Sequence, residues 1–213
     1  MKYVATLMDP PWNENGGGMK GANRHYGLMK HDQILSEILG SGSWSPAEDA
    51  HLYMWVTNTF LAQGLWLMER LDFKYKTNFP WIKAKRETIV VDGKPITKLT
   101  PENMGIGQYG RGCHELLLFG VRGKGYNACA ALPDGRRTTV RTDFLAGEPR
   151  EVDAKGKIVH SRKPRRQYDL IDLRTKPGPR LEMFARTRHS EAWDVWGNQA
   201  PGAPGEEEEE EEG

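Results

Sequence analysis

Short apolar runs alternate along the chain with stretches whose apolar residues recur every three or four positions. Tyr3 to Met8 is apolar and only six residues long, as a strand buried on both faces would be. His31 to Leu39 sets Ile34, Leu35, Ile38 and Leu39 on one face of a helix. Leu52 to Thr57 reads as the next strand, and Asn58 as the N-cap of a helix running through Leu71. Phe79 to Ile82 and Glu115 to Val121 are further strands. A helix from about Arg165 to Leu173 precedes the strand Arg180 to Ala185, and Ala192 to Trp196 is the last. This alternation predicts an α/β fold, a mostly parallel sheet with helices on both faces. In such sheets ligands bind beyond the carboxyl ends of the strands, which is where Asp9 would stand.

Two stretches fall outside the pattern. Residues 83–112 carry Lys83, Lys85, Arg86, Asp92-Gly93 and several glycines, and predict a long loop or a small hairpin. Residues 122–166 hold twelve Lys or Arg against five acidic residues, an electrostatic grip for a phosphate backbone or else a solvated insertion. The 213 residues suit one domain over 1–200, with loop insertions at about 83–112 and 122–162.

Charge changes the picture more than composition does. The formal net charge is +1, but seven glutamates (Glu206 to Glu212) end the chain, and without them it becomes +8. The body is therefore basic, as expected of a protein whose partner is nucleic acid. The segment 201–213 should be a disordered acidic tail, since it can bury nothing and repels itself. No signal peptide and no apolar run near eighteen residues points to a membrane. Cys113 and Cys129 have no second pair to complete a zinc site, and read as reduced thiols of a cytoplasmic protein.

The candidate chemistry lies in Asp9-Pro10-Pro11-Trp12, directly after the first strand. An amino nitrogen conjugated to a purine ring is a poor nucleophile, and a catalyst must draw it toward tetrahedral geometry by accepting its hydrogens. Asp9 can accept one and the Pro10 backbone carbonyl the other, with Pro10 and Pro11 fixing the direction of that carbonyl. Trp12 offers a face on which an extruded base could stack. Asp-Pro-Pro is also an ordinary rigid turn, so the four residues do not decide the matter alone.

Further along stand Tyr26-Gly27-Leu28-Met29, Trp55-Val56-Thr57, Lys163-Pro164 with Tyr168, Leu181 to Arg186, and Trp193 with Gly197-Asn198-Gln199. Together with the DPPW element, and in this order, they resemble the mRNA adenosine-N6 methyltransferase family and its phage and bacterial relatives. The resemblance covers nearly all of residues 3–199. It implies a Rossmann-like class I methyltransferase, S-adenosylmethionine as cofactor, and adenine in DNA or RNA as acceptor. It also implies roles for single residues. Asp9 would lie between adenine and the cofactor's amine, and Tyr26 in the substrate loop. Lys163 would meet the methionine carboxylate, Glu182 and Arg186 the ribose, and Asn198 and Gln199 the adenosine part. No metal is implied. Ala185 stands where the family has glycine, and only eight residues precede Asp9, where the family has another acidic cofactor contact.

Two rival readings remain open at this point. The chain could be a non-catalytic nucleic-acid-binding subunit of a methyltransferase complex, although such paralogues usually lose the acid at Asp9. It could also methylate cytosine N4, another conjugated amine. A compact chain without accessory RNA-binding modules tilts the substrate slightly toward DNA, and a homo- or heterodimer is compatible with the family.

Overall fold

The computed structural model describes residues 1–12, 28–101, 110, 112–124, 140–151, 155, 159, 162–198 and 200. Among these residues eight strands and three α-helices are ordered β1 Tyr3–Met8, α1 His31–Gly40, β2 Pro46–Val56, α2 Leu61–Arg70, β3 Lys74–Ile82, β4 Ala84–Val91, β5 Lys94–Pro101, β6 His114–Arg122, α3 Arg166–Arg174, β7 Arg180–Met183 and β8 Trp193–Trp196. Six of the strands form one sheet in the order β3-β6-β2-β1-β7-β8, and β4 pairs with β5 in a separate ribbon.

β1 runs parallel to both β2 and β7, and β7 parallel to β8. β6 is antiparallel to both of its neighbours, β2 and β3. The sheet is thus mostly parallel with one reversed strand.

Side chains alternate across it as the pleat requires. Leu52, Met54 and Val56 of β2, with Leu116 and Leu118 of β6, face Ile34 and Ile38 of α1 and Leu67 and Met68 of α2. Tyr53, Trp55, Leu117 and Phe119 face the other way, against Leu170 and Ile171 of α3. Helices therefore cover both faces. The chain leaves β1 toward β2 on one side and returns to β7 on the other, so the strand order reverses at the crevice between β1 and β7. An open α/β sheet makes its binding site there.

Several boundaries differ from expectation for physical reasons. Leu39 is 57% exposed, so the apolar face of α1 is narrower than its sequence suggests. Asn58 opens a short 3₁₀ turn, Asn58–Phe60, ahead of α2 rather than capping the helix itself. β2 and β3 each begin earlier than their apolar cores, β3 through exposed Lys74 to Lys76 and β2 through a stretch in which only Glu48 is exposed. In the 83–112 stretch, β4 and β5 form the hairpin, turning at Asp92 and Gly93. Both have positive φ (49° and 73°), the signature of a type I′ turn. Among the described residues no helix is long and apolar enough to cross a membrane.

Candidate active site

Asp9 follows directly on β1, and Pro10 and Pro11 end the strand because neither has an N–H to give the ladder. The chain turns at once. The Trp12 N–H donates to the Pro10 carbonyl at 2.9 Å, and the Met29 N–H to the Pro11 carbonyl at 2.8 Å. The Pro10 oxygen keeps a second lone pair for another donor. Trp12, expected to stack a base, is packed against the protein itself. Only 6% exposed, it stacks on Phe60 with ring centroids 5.6 Å apart, and its indole N–H donates to the Trp55 carbonyl at 3.0 Å. In this conformation it anchors the DPPW turn to the end of β2 and offers no free face to a base.

Around Asp9 the charges alternate in sign. Lys163 Nζ donates to Asp9 Oδ2 at 2.7 Å and lies 3.3 Å from Glu115 Oε2. Lys83 closes on the other oxygen of Glu115. The side chains of Lys163 and Glu115 are 12% and 16% exposed, while that of Asp9 is 37% exposed at the mouth.

The reversed direction of β6 explains how Glu115 arrives. Because β6 runs against β2 and β3, its first residues meet the last ones of those strands, with His114 beside Ile82 and Leu116 beside Val56. Glu115 and Lys83 therefore join Asp9 at the carboxyl edge. Lys163 precedes α3, and its ammonium also sits 5.7 Å from the centre of the Trp55 ring.

Burial sets the charge states and neighbours adjust them. Burial pushes the Asp9 carboxyl above its ordinary value; Lys163 opposes this, while Glu115 adds to it. Burial would raise Glu115 too, but Lys163 and Lys83 together hold it down at about 2. Lys163 would lose its proton more easily through burial, yet Asp9 and Glu115 outweigh this and raise it. Glu182 is pushed up to about 7 by burial, against the pull of the Tyr168 hydroxyl that donates to it at 2.9 Å, and Asp9 pushes the same way as burial.

One pocket brings together Asp9, Lys163, Glu182 and Arg186, with Trp55, Tyr168 and Phe184 among its walls. β7 stops at Met183, short of the expected Ala185, because Phe184 takes a left-handed backbone with φ of 60°. Such strain in a non-glycine residue often accompanies a site. The Ala185 N–H then donates to the Trp196 carbonyl at 3.0 Å. Gly197 must be glycine here, since a Cβ would come within 2.6 Å of the Ala185 carbonyl oxygen. Asn198 is exposed and does not line the pocket; Tyr26 and Gln199 lie outside the described residues.

Glu115, Lys83 and His189 were given no site role by the sequence reading, and Trp55 and Tyr168, quoted there as motif residues, were assigned none either. His189 stacks flat on Tyr168 at 3.6 Å, and burial lowers its pKa. A lone acid opening the apolar run of β6 was the one available signal for Glu115. Among the described residues no group of three or more His, Cys, Asp or Glu could hold a metal ion.

Comparison with known proteins places the chain in a family. The MT-A70 family model matches residues 3–199. The chain is 26% identical over 206 residues to a putative N(6)-adenosine-methyltransferase MT-A70-like protein of Medicago truncatula, covering 94% of this chain and 27% of that protein. An N(6)-adenosine-methyltransferase MT-A70-like protein of Arabidopsis thaliana is 24% identical over 202 residues, covering 94% and 24%. The chain thus spans about a quarter of the length of these plant relatives. It is also 26% identical over 223 residues to the type II methyltransferase M.MunI of a Mycoplasma species, covering 94% of this chain and 78% of that one. With its acid-bearing turn at the β1–β7 crevice and a family match over nearly its whole length, the chain belongs to the MT-A70 family of class I S-adenosylmethionine-dependent methyltransferases.

Proposed function

We propose that this chain methylates N6 of adenine in nucleic acid by direct transfer from S-adenosylmethionine, with DNA favoured slightly over RNA. The observation that carries the reading is Asp9 at the β1–β7 crevice, sharing one pocket with Lys163, Glu182 and Arg186. The donor set fits the cofactor, whose sulfonium and amine are cationic, whose carboxylate is anionic and whose ribose carries hydroxyls. Lys163 is a cation for the carboxylate. Glu182, held near neutrality between its two protonation states, suits a hydroxyl partner, and Arg186 supports the same end. Asn198 and Gln199 would add contacts to the adenosine part, and Tyr26 would contact the substrate adenine. When bound, the cofactor supplies a methyl group activated by its positive sulfur.

The chain's own residues then supply orientation. Asp9 accepts one hydrogen of the amine, and the free lone pair of the Pro10 carbonyl accepts the other. Pro11 holds that turn rigid. The amine becomes acidic only as its new bond to carbon forms, so Asp9 need not be a strong base. Oriented acceptors in a partly dry site carry most of the effect.

Labelled methyl transfer to matched DNA and RNA pools, followed by nucleoside analysis, tests the reading. N6-methyladenine should form in one pool and vanish with Asp9→Ala, while the fold and cofactor pocket persist. Methyl transfer undiminished in Asp9→Ala would overturn the mechanism. Failure to bind S-adenosylmethionine would instead favour a nucleic-acid-binding subunit without catalysis.

A further inference from the structure

We propose that Glu115 and Lys83 are positioning residues that set how tightly Lys163 holds Asp9, and so how free Asp9 is to accept an amino hydrogen. The inference rests on the proposed function for its consequence, but its electrostatic core stands on geometry alone. Lys163 is shared between two carboxylates, Asp9 at 2.7 Å and Glu115 at 3.3 Å. Glu115 is in turn shared between two lysines, Lys163 and Lys83. Each member of the row weakens its neighbour's hold on the next. Glu115 draws Lys163 away from Asp9, and Lys83 restrains Glu115 from drawing it fully.

The arrangement spans three elements. Asp9 follows β1, Glu115 opens β6, and Lys83 joins the end of β3 to the β4–β5 hairpin. Lys83 is further fixed by its N–H, which donates to the Cys113 carbonyl at 2.7 Å, and by its ammonium 5.0 Å from the centre of the Trp81 ring. The row therefore ties the start of the hairpin insertion to the acceptor carboxylate. From the segment around β7, Arg186 favours the ionised form of Asp9, and Asp9 in turn raises Glu182. Arg186 lies outside the row and keeps its charge, whereas Glu182 titrates at about 7, so Glu182→Gln is carried as a common background in the titrations.

The row predicts shifts of opposite sign, which mere structural support would not produce. Glu115→Gln removes a negative charge that competes with Asp9 for Lys163, so the Asp9 titration should move to lower pH. Lys83→Met removes a positive charge and lets Glu115 compete harder for Lys163, so it should move to higher pH. In catalysis, Glu115→Gln should lower kcat by about tenfold or more with little change in KM for nucleic acid, because a tightly paired Asp9 is a poorer acceptor. Glu115→Asp should restore part of that loss.

The first measurement is the pH titration of ¹³C-carboxyl aspartate signals in the full chain without substrate, with Asp9 assigned from Asp9→Asn. Opposite shifts in Glu115→Gln and Lys83→Met establish the row, whatever the protein methylates. Shifts of the same sign, or none while both variants remain folded by circular dichroism, overturn it. The second is the pH profile of kcat. An acid limb that follows the Asp9 shifts supports the positioning role, and a limb unmoved in an active enzyme overturns that role. A wild-type protein that titrates as described but transfers no methyl leaves the row standing and removes the functional reading instead.

Discussion

Glu182 and Glu115 are half-buried carboxyls at the same edge of the sheet, yet their surroundings drive them apart, to about 7 and about 2. The difference is counting: Glu115 meets two lysines, while Glu182 has a tyrosine hydroxyl and the nearby charge of Asp9. An unfolded glutamate titrates near about 4.3. Folding therefore raises Glu182, and whatever stability its neutral form contributes is lost as pH rises through about 7. Glu182→Gln, which never ionises, should accordingly unfold at higher temperature than the wild type. Its advantage, on the order of 1–2 kcal/mol, should be full above pH 7 and fade toward pH 4. Thermal melts at pH 5 and pH 8 decide this, and an advantage independent of pH would mean burial is not the cause. Glu115 has the opposite sign, its contribution being present above the unfolded value and lost as pH falls toward 2.

Trp12 poses a different test at the same scale. Trp12→Phe keeps a ring against Phe60 but loses the bond to the Trp55 carbonyl, so stability should fall by about 1 kcal/mol with methyl transfer reduced only in proportion. A hundredfold loss of transfer at unchanged melting temperature would return the ring to the substrate.

At the scale of elements, Gly64 shows packing overruling propensity. An exposed helix position would gain about 1 kcal/mol from Gly→Ala. Gly64 is buried in α2, and a Cβ there would come within 2.5 Å of Val56 Cγ1 and 3.1 Å of Leu118 Cδ1. Val56 is β-branched and fully packed in β2, with little room to yield. Gly64→Ala should therefore destabilise the protein by about 1–2 kcal/mol in urea titration, overpacking exceeding the helical gain.

The same scale shows why part of the fold was legible and part was not. β1, α1, α3 and the Asp92-Gly93 turn follow from local patterns of burial and backbone preference, and each appears where those patterns put it. The direction of β6 does not. Glu115 to Val121 reads as the same apolar run in either sense, and only pairing with β2 and β3 fixes its direction. Glu115 and Lys83 were missed for that reason, since their approach to Asp9 depends on one antiparallel strand. Asp9, named from the chemistry of its turn, and Lys163, Glu182 and Arg186, named from the family resemblance, come to line one pocket, and naming them needed no sheet geometry. The packing of Trp12 was not legible, since nothing local reveals that Phe60 and the Trp55 carbonyl converge on it.

For the whole molecule the governing quantity is charge. The formal value of +1 conceals a body of +8 and a run of seven glutamates, Glu206 to Glu212. If the body engages a phosphate backbone, its lysines and arginines displace condensed counterions, and affinity must fall steeply with salt. Seven glutamates would compete for the same cations without offering a base, so their removal should strengthen nucleic-acid binding. Screening sets where this appears, because the Debye length shrinks from about 30 Å at 0.01 M salt to about 3 Å at 1 M. A variant lacking Glu206 to Glu212 should therefore bind DNA or RNA at least several-fold more tightly at low salt and equally at high salt. Titrations by fluorescence anisotropy across that range measure both slopes. An unchanged affinity at low salt would show that the acidic run does not act on the binding face. A gain that persisted at high salt would point to steric obstruction rather than charge. Methyl transfer measured beside it distinguishes the consequences: tighter binding through the basic body should lower KM for nucleic acid and leave kcat alone, because Asp9 and its neighbours are untouched.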